Sequence, residues 1–324
     1  MFNAPDRGLK AAAERLASGG LVAFPTETVY GLGARADDDA AVAGIFAAKG
    51  RPSDHPLIVH VASVAAAHQF AAHISPLAAT LIQRFWPGPL TLIVPRLAGR
   101  GAAAAGGQPS IGLRLPAHPL ALALLRAAAD LGVPGVAAPS ANRFGRVSPT
   151  TAQHVRDEFG PGLMVLDGGP CEVGIESTIV DCTAERPALL RPGRLDRRDI
   201  EAVLGQPLAD RDAQSPRASG TLESHYAPTA RLRLFDAATL AQALAAPLEK
   251  PVQALAVYSR NEVPLPSGAV FRLMPADPVL AARELFAALR SFDAAGVTQI
   301  WVESPPVSPE WEGVRDRLQR AAAS

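Results

Sequence analysis

Phe24-Pro25-Thr26-Glu27-Thr28-Val29-Tyr30-Gly31-Leu32-Gly33, followed sixteen residues later by Lys49-Gly50-Arg51-Pro52-Ser53-Asp54-His55-Pro56, decides how the chain reads. The apolar run Leu21-Val22-Ala23-Phe24 spells a short strand, and it delivers the chain into a loop dense in hydroxyls and glycine. Asp37-Asp38-Asp39 supply a cap and negative charge for a helix over residues 40–49, with Val42, Ile45 and Phe46 on its buried face. Gly50 and Pro52 end that helix. Lys49 thus sits at a helix C-terminus, where a cation complements the dipole. Arg51, two residues on in a polar loop, turns a dipole cation into a candidate anion site. Lysine occurs only at 10, 49 and 250 among the 31 Lys+Arg residues. A compact ammonium kept at position 49 therefore carries some weight. Loops that leave a strand are where α/β folds place their chemistry.

Working outward, a chain of 324 residues points to two domains. Its formal net charge of zero argues against a large non-specific nucleic-acid surface, although a local basic groove giving weak tRNA contact is allowed. Cys171 and Cys182 are too few for a disulfide framework or a zinc site, and no metal ligands are assigned to the protein. The N-terminus lacks a signal-type apolar core and no run is long enough to span a membrane, so a cytoplasmic protein is expected.

Helices are expected over 7–18, 63–72, 76–85, 119–129 and 196–204. Strands are expected over 56–61, 90–94, 110–116, 136–138 and 163–166. Residues 99–108, small and glycine-rich, read as an exposed flexible loop. His60 near a strand end is, taken alone, a core or edge histidine. Arg114 among apolar neighbours is either a rim residue or an anion ligand. Ser140-Ala141-Asn142 is either turn chemistry or a polar platform for ribose and phosphate oxygens, and Ser148-Pro149 reads as a cap and first residue of the next helix. The catalytic domain is expected to span 1–204, a linker or lid 205–228, and a second domain 229–324. In that second domain strands over 230–235, 252–258, 269–274 and 298–303 alternate with helices over 237–246, 277–295 and 308–322. It carries neither a G-x-G-x-x-G nor a P-loop motif.

Several motifs fall in one order: Pro25 to Gly33, Lys49-x-Arg51, Pro56-Leu57-Ile58-Val59-His60, Trp86-Pro87-Gly88-Pro89-Leu90-Thr91, Arg114-Leu115-Pro116, Ser140-x-Asn142, Glu176-Ser177-Thr178 and Leu190-Arg191-Pro192-Gly193. As a set they resemble the YrdC-type threonylcarbamoyl-AMP synthase family. His225-Tyr226-Ala227-Pro228 with the α/β segment after it resembles the long, two-domain form. Ser215-Pro216-Arg217-Ala218-Ser219-Gly220 departs from the Ser-Pro-Gly-Met version common in the family.

The resemblance implies an α/β protein: a twisted mixed β-sheet YrdC-like domain with a concave pocket, plus a smaller Rossmann-like α/β domain. It implies that L-threonine, bicarbonate or CO2 and ATP, with Mg2+, give threonylcarbamoyl-AMP and pyrophosphate. A separate transferase then uses the product to make threonylcarbamoyladenosine in tRNA. By motif match Lys49 and Arg51 would be catalytic and hold the triphosphate. Thr91, Ser140, Asn142, Arg191 and Tyr226 would contact ATP. Thr26, His60, Arg114 and Ser177 would surround threonine, and His225 with Tyr226 would form a lid. Two other readings compete. One is an RNA-binding YrdC-like module without adenylation. The other is a carbamoyl-handling domain like that of hydrogenase-maturation carbamoyltransferases, whose zinc-binding and acylphosphatase-like regions this chain lacks.

Overall fold

The structure is a computed structural model describing residues 4–246 and 254–323. Those residues divide into two compact units, one holding residues up to Phe144 and Ser148–Thr221, the other Gly145–Val147 and the chain from Leu222 on. The segment expected as a linker over 205–228 is therefore shared, ending the first unit and beginning the second.

The first unit opens with α1 (Ala4–Ala17), β1 (Val22–Phe24), β2 (Gly31–Arg35), α2 (Asp39–Lys49), β3 (Ile58–His60), α3 (Val64–Ala67) and α4 (Pro76–Phe85). It continues with β4 (Leu90–Pro95), β5 (Ser110–Arg114), α5 (Pro119–Asp130), β6 (Val136–Ala137) and α6 (Ala152–Phe159). It closes with β7 (Met164–Val165), β8 (Thr178–Asp181), β9 (Ala188–Arg191), α7 (Arg197–Leu204) and β10 (Ala209–Asp210). The strands form one mixed sheet in the order β10-β9-β8-β4-β5-β3-β6-β2-β1-β7. Two apolar layers cover it. One contains Leu32, Val42, Ile45, Phe70 and Leu92, and the other packs Leu16 of α1 and Leu124 of α5 on Val22, Phe24 and Val136.

Local chemistry explains the boundaries around the opening stretch. The Asp38 side chain accepts from the amides of Ala40 and Ala41, and Gly50 caps the helix C-terminus in the left-handed region at φ 63°. Lys49 is held at the last turn as expected. Other expectations need correcting. The helix start expected at Ser148-Pro149 lies at Thr151, whose hydroxyl accepts from His154 N. Ser148 instead spends its hydroxyl on Glu176, and Pro149 O accepts from Tyr30 N. The helix expected over 63–72 is a single turn, because Phe70 and Ala71 bend inward to become buried and Ala72 N bonds to Pro95 O. Residues 99–108 are exposed only at Gly99, Arg100 and Gly107: Ala104 and Ala105 are fully buried, and Ala104 O accepts from Leu57 N. Small residues there permit close approach. The stretch expected to be aperiodic linker contributes β10 to the sheet edge and places Ala218 against Ile58, Ile93, Ile179 and Leu190.

The second unit contains β11 (Arg231–Phe235), α8 (Ala237–Ala245), β12 (Leu255–Ser259), β13 (Val270–Leu273), α9 (Pro278–Ala294), β14 (Gln299–Glu303) and α10 (Glu312–Ala322). All its strands run parallel in the order β11-β14-β12-β13, as a Rossmann-like reading requires. The start of the strand expected over 252–258 falls on 252–253, outside the described residues. Gly145–Val147 belong here: Ala227 N donates to Gly145 O at 2.8 Å, Arg146 lies 3.6 Å from Asp293, and Arg290 donates to Val147 O. His225 and Tyr226 are also described within this unit. Tyr226 has φ 62°, unusual for a side-chain-bearing residue. Its ring is buried, stacked on Phe286 at 5.4 Å with the Arg317 guanidinium 5.1 Å from its centre.

Candidate active site

Four loops of the first unit are stitched together by backbone hydrogen bonds. Leu32 N reaches Pro139 O and Ala141 N reaches Tyr30 O, which zips residues 30–32 onto 139–141. Val173 N and Gly174 N reach the carbonyls of Glu27 and Thr28, and Thr178 N reaches Pro89 O. Tyr30 fastens a further turn: its hydroxyl donates to Gly169 O at 2.8 Å and accepts from Gly168 N, and burial pushes its pKa up to about 12.

On this frame the expected residues gather in three groups. In the first, Lys49 Nζ donates to Ser140 O at 2.6 Å and to Asn142 O, while Phe144 N donates back to Lys49 O. Arg51 Nη2 donates to Pro56 O at 3.0 Å and its guanidinium stands 5.7 Å from the Phe144 ring centre. Burial drives the Lys49 ammonium well below its ordinary pKa, and the Arg51 charge adds to that; Glu158 and Glu176 oppose it. In the second, Thr91 Oγ1 and Ser177 Oγ are 2.8 Å apart, and Arg191 Nη2 donates to the Ser177 hydroxyl and carbonyl. Arg191 Nη1 donates to Ser219 O at 2.9 Å, so the same guanidinium grips the segment that follows β10.

In the third group, Arg114 and His60 are register neighbours on β5 and β3. Arg114 Nη2 meets Glu27 Oε1 at 2.8 Å and its Nε donates to Gly88 O at 3.3 Å. Thr26 builds its own turn, donating to Val29 O at 2.6 Å and accepting from the amides of Thr28 and Val29. His60 is buried with its ring edge-on to Phe24, and burial followed by the Arg114 charge lowers its pKa to about 3. Sequence reasoning assigned Glu27 no role, though a lone acid in a hydroxyl-rich loop signals a partner. Burial pushes the Cys171 and Cys182 thiols up to about 12, so both are inert.

The neutral His60 predicts an acid limb. Its folded pKa is depressed, so its stability contribution is complete above the unfolded value of about 6.5 and is lost as pH falls toward about 3. Urea unfolding from neutrality to about pH 4.5 should show stability falling by on the order of a few kcal/mol. His60→Asn should flatten that slope; an unchanged slope would remove His60 as its source.

A cavity of about 770 Å³ is lined by residues including Ser110, Asp181, Ala188, Asp212 and Arg217. Ser110, Asp181 and Ala188 stand at the opposite strand ends from Arg114, Thr178 and Arg191. No expected site residue lines this cavity.

A family model described as "Telomere recombination" matches residues 14–193, and one described as "Threonylcarbamoyl-AMP synthase, C-terminal domain" matches residues 195–323. The Threonylcarbamoyl-AMP synthase of Pyrococcus abyssi is 38% identical, over 97% of this chain and 94% of its own length. That of Bacillus subtilis is 39% identical, over 98% and 93%. The crystal structure of Pyrococcus abyssi Sua5 complexed with L-threonine superposes with a TM-score of 0.88 at 35% identity, covering 97% of this chain and 94% of that one. With both domains matched in order and identity sustained along nearly its whole length, the chain belongs to the Sua5/YrdC family of threonylcarbamoyl-AMP synthases in its long, two-domain form.

Proposed function

We propose that this chain is a nucleotidyltransferase that joins L-threonine, CO2 from bicarbonate, and ATP into L-threonylcarbamoyl-AMP with release of pyrophosphate. The observation that carries the reading is the Lys49 ammonium bonded to the carbonyls of Ser140 and Asn142 with Arg51 two residues away. Arg51 opposes the charged form of Lys49, and a polyanion bound beside both cations would relieve that repulsion. A triphosphate supplies that charge and would restore the protonated state that burial disfavours in Lys49.

Adenylation needs a carbamate oxygen in line with the α-phosphate and cations to absorb charge on the departing pyrophosphate. Lys49 and Arg51 take that role in our reading. Ser140 and Asn142 face the ribose and phosphates, and Thr91 and Arg191 add nucleotide contacts. Thr26, His60, Arg114 and Ser177 line the amino-acid side. Magnesium would enter on the triphosphate's own oxygens, since this ion keeps several waters and takes few protein ligands. The resemblance gives His225 and Tyr226 the part of a lid, which would exclude water from a hydrolysable product. The product would pass to a separate transferase that modifies tRNA. Among the described residues no helix is long and apolar enough to cross a membrane.

Pyrophosphate release from ATP and Mg2+ should require both threonine and bicarbonate, with serine as the control. ATP breakdown that ignores threonine, or that follows carbamoyl phosphate instead, would favour the carbamoyltransferase-like reading and overturn this one.

A further inference from the structure

Glu27 is buried beside Arg114, in the loop between β1 and β2, with its Oε1 2.8 Å from Arg114 Nη2. Among the described residues neither of its carboxylate oxygens accepts a hydrogen bond, and Arg114 Nη2 donates none. Taking both ions out of water costs several kcal/mol, which is recovered only when the remaining lone pairs and protons are also satisfied. Here they are not. A pair kept only for stability would be surrounded by hydrogen-bonding partners or replaced by apolar side chains. Cys171 also faces Glu27, and burial keeps its thiol neutral; among the described residues the ion pair to Glu27 comes from Arg114 at 2.8 Å.

A free α-amino acid carries an ammonium and a carboxylate two bonds apart. Placed between these side chains, it turns one poorly bonded ion pair into two, with the sum of charges unchanged. Its ammonium donates up to three hydrogen bonds to carboxylate oxygens that accept none in its absence, and its carboxylate accepts the guanidinium fork. We propose that Glu27 binds the α-ammonium of the amino-acid substrate while Arg114 takes its α-carboxylate. The assignment rests on the amino-acid-binding reading above. It makes this corner of the site selective for zwitterions over simple hydroxy acids, and it makes Glu27 a binding residue rather than a brace for Arg114.

The test is calorimetric titration of the full-length protein with L-threonine and with 3-hydroxybutyrate, which keeps the carboxylate and the hydroxyl but lacks the amine. Wild-type protein should prefer threonine at least tenfold. In Glu27→Gln threonine binding should weaken at least tenfold. 3-Hydroxybutyrate should bind as tightly as before or tighter, because Arg114 has lost its internal competitor. Parallel weakening of both acids would mean that Glu27 only braces Arg114, and would overturn the proposal. The wild-type comparison stands even if the variant does not fold: equal affinity for the two acids refutes the ammonium site. Wild-type protein that binds neither acid would overturn the amino-acid reading itself, and this assignment with it.

Discussion

Replacing Lys49 with alanine is expected to lower threonine-dependent pyrophosphate release at least tenfold, about 1.4 kcal/mol of transition-state stabilisation, while the protein still folds. The loss has two sources in the structure. The ammonium is one of the two cations that we propose for the triphosphate. It also fastens the carbonyls of Ser140 and Asn142, and with them the turn that resemblance gives to ribose and phosphate. Folding should survive because α2 keeps Val42, Ile45 and Phe46 in the core and its caps at Asp38 and Gly50. Removing a buried cation with a depressed pKa also removes a desolvation cost. Thermal unfolding should accordingly hold or rise while turnover collapses. Near-wild-type turnover would take Lys49 out of the chemistry. A collapse of stability would make it a structural strut.

The second large effect should come from Gly193. A Cβ there would lie 2.4 Å from Thr178 N, 2.6 Å from Glu176 O and 2.6 Å from the Ser177 carbonyl carbon. All three are backbone atoms, so no rotamer change relieves the contact and the strand must shift. Gly193→Ala should therefore destabilise by about 3 kcal/mol or more. It should also move Ser177 away from Thr91 and Arg191, so activity at permissive temperature should fall further than the unfolded fraction explains. Chemical denaturation gives the first number and turnover per folded molecule the second. A variant within about 0.5 kcal/mol of wild type would mean the backbone yields freely there. This contact also explains the Arg191-Pro192-Gly193 motif: the glycine lets β9 leave close enough to the Glu176-Ser177-Thr178 segment for Arg191 to reach Ser177.

Local chemistry was readable from sequence wherever it is self-contained. The Asp38 cap, the Gly50 stop and Lys49 at the last turn depend on neighbours within four residues, and they stand as expected. The parallel strands and helices of the second unit followed from alternating apolar runs. The failures share one cause, long-range partners that leave no periodic trace. Ser148-Pro149 looks like a helix start until Glu176, 28 residues away, takes the serine hydroxyl. Residues 99–108 look exposed until the Leu57 amide donates to Ala104 O. In the site, the motif residues Lys49, Ser140 and Asn142 could be named, but not that the lysine ties the other two together. Glu27 was in view throughout, and only the 2.8 Å approach of Arg114 gives it a reason. The Arg191 contact to Ser219 was likewise invisible, because the segment after β10 reads as plain linker.

One product distinguishes threonylcarbamoyl adenylation from every alternative. The full-length protein incubated with ATP, Mg2+, L-threonine and 13C-bicarbonate should yield, by mass spectrometry, threonylcarbamoyl-AMP carrying the heavy carbon. Pyrophosphate should form in equal amount, and serine should give far less product. ATP consumed without a labelled adenylate, or a label found in a species lacking threonine, would contradict it.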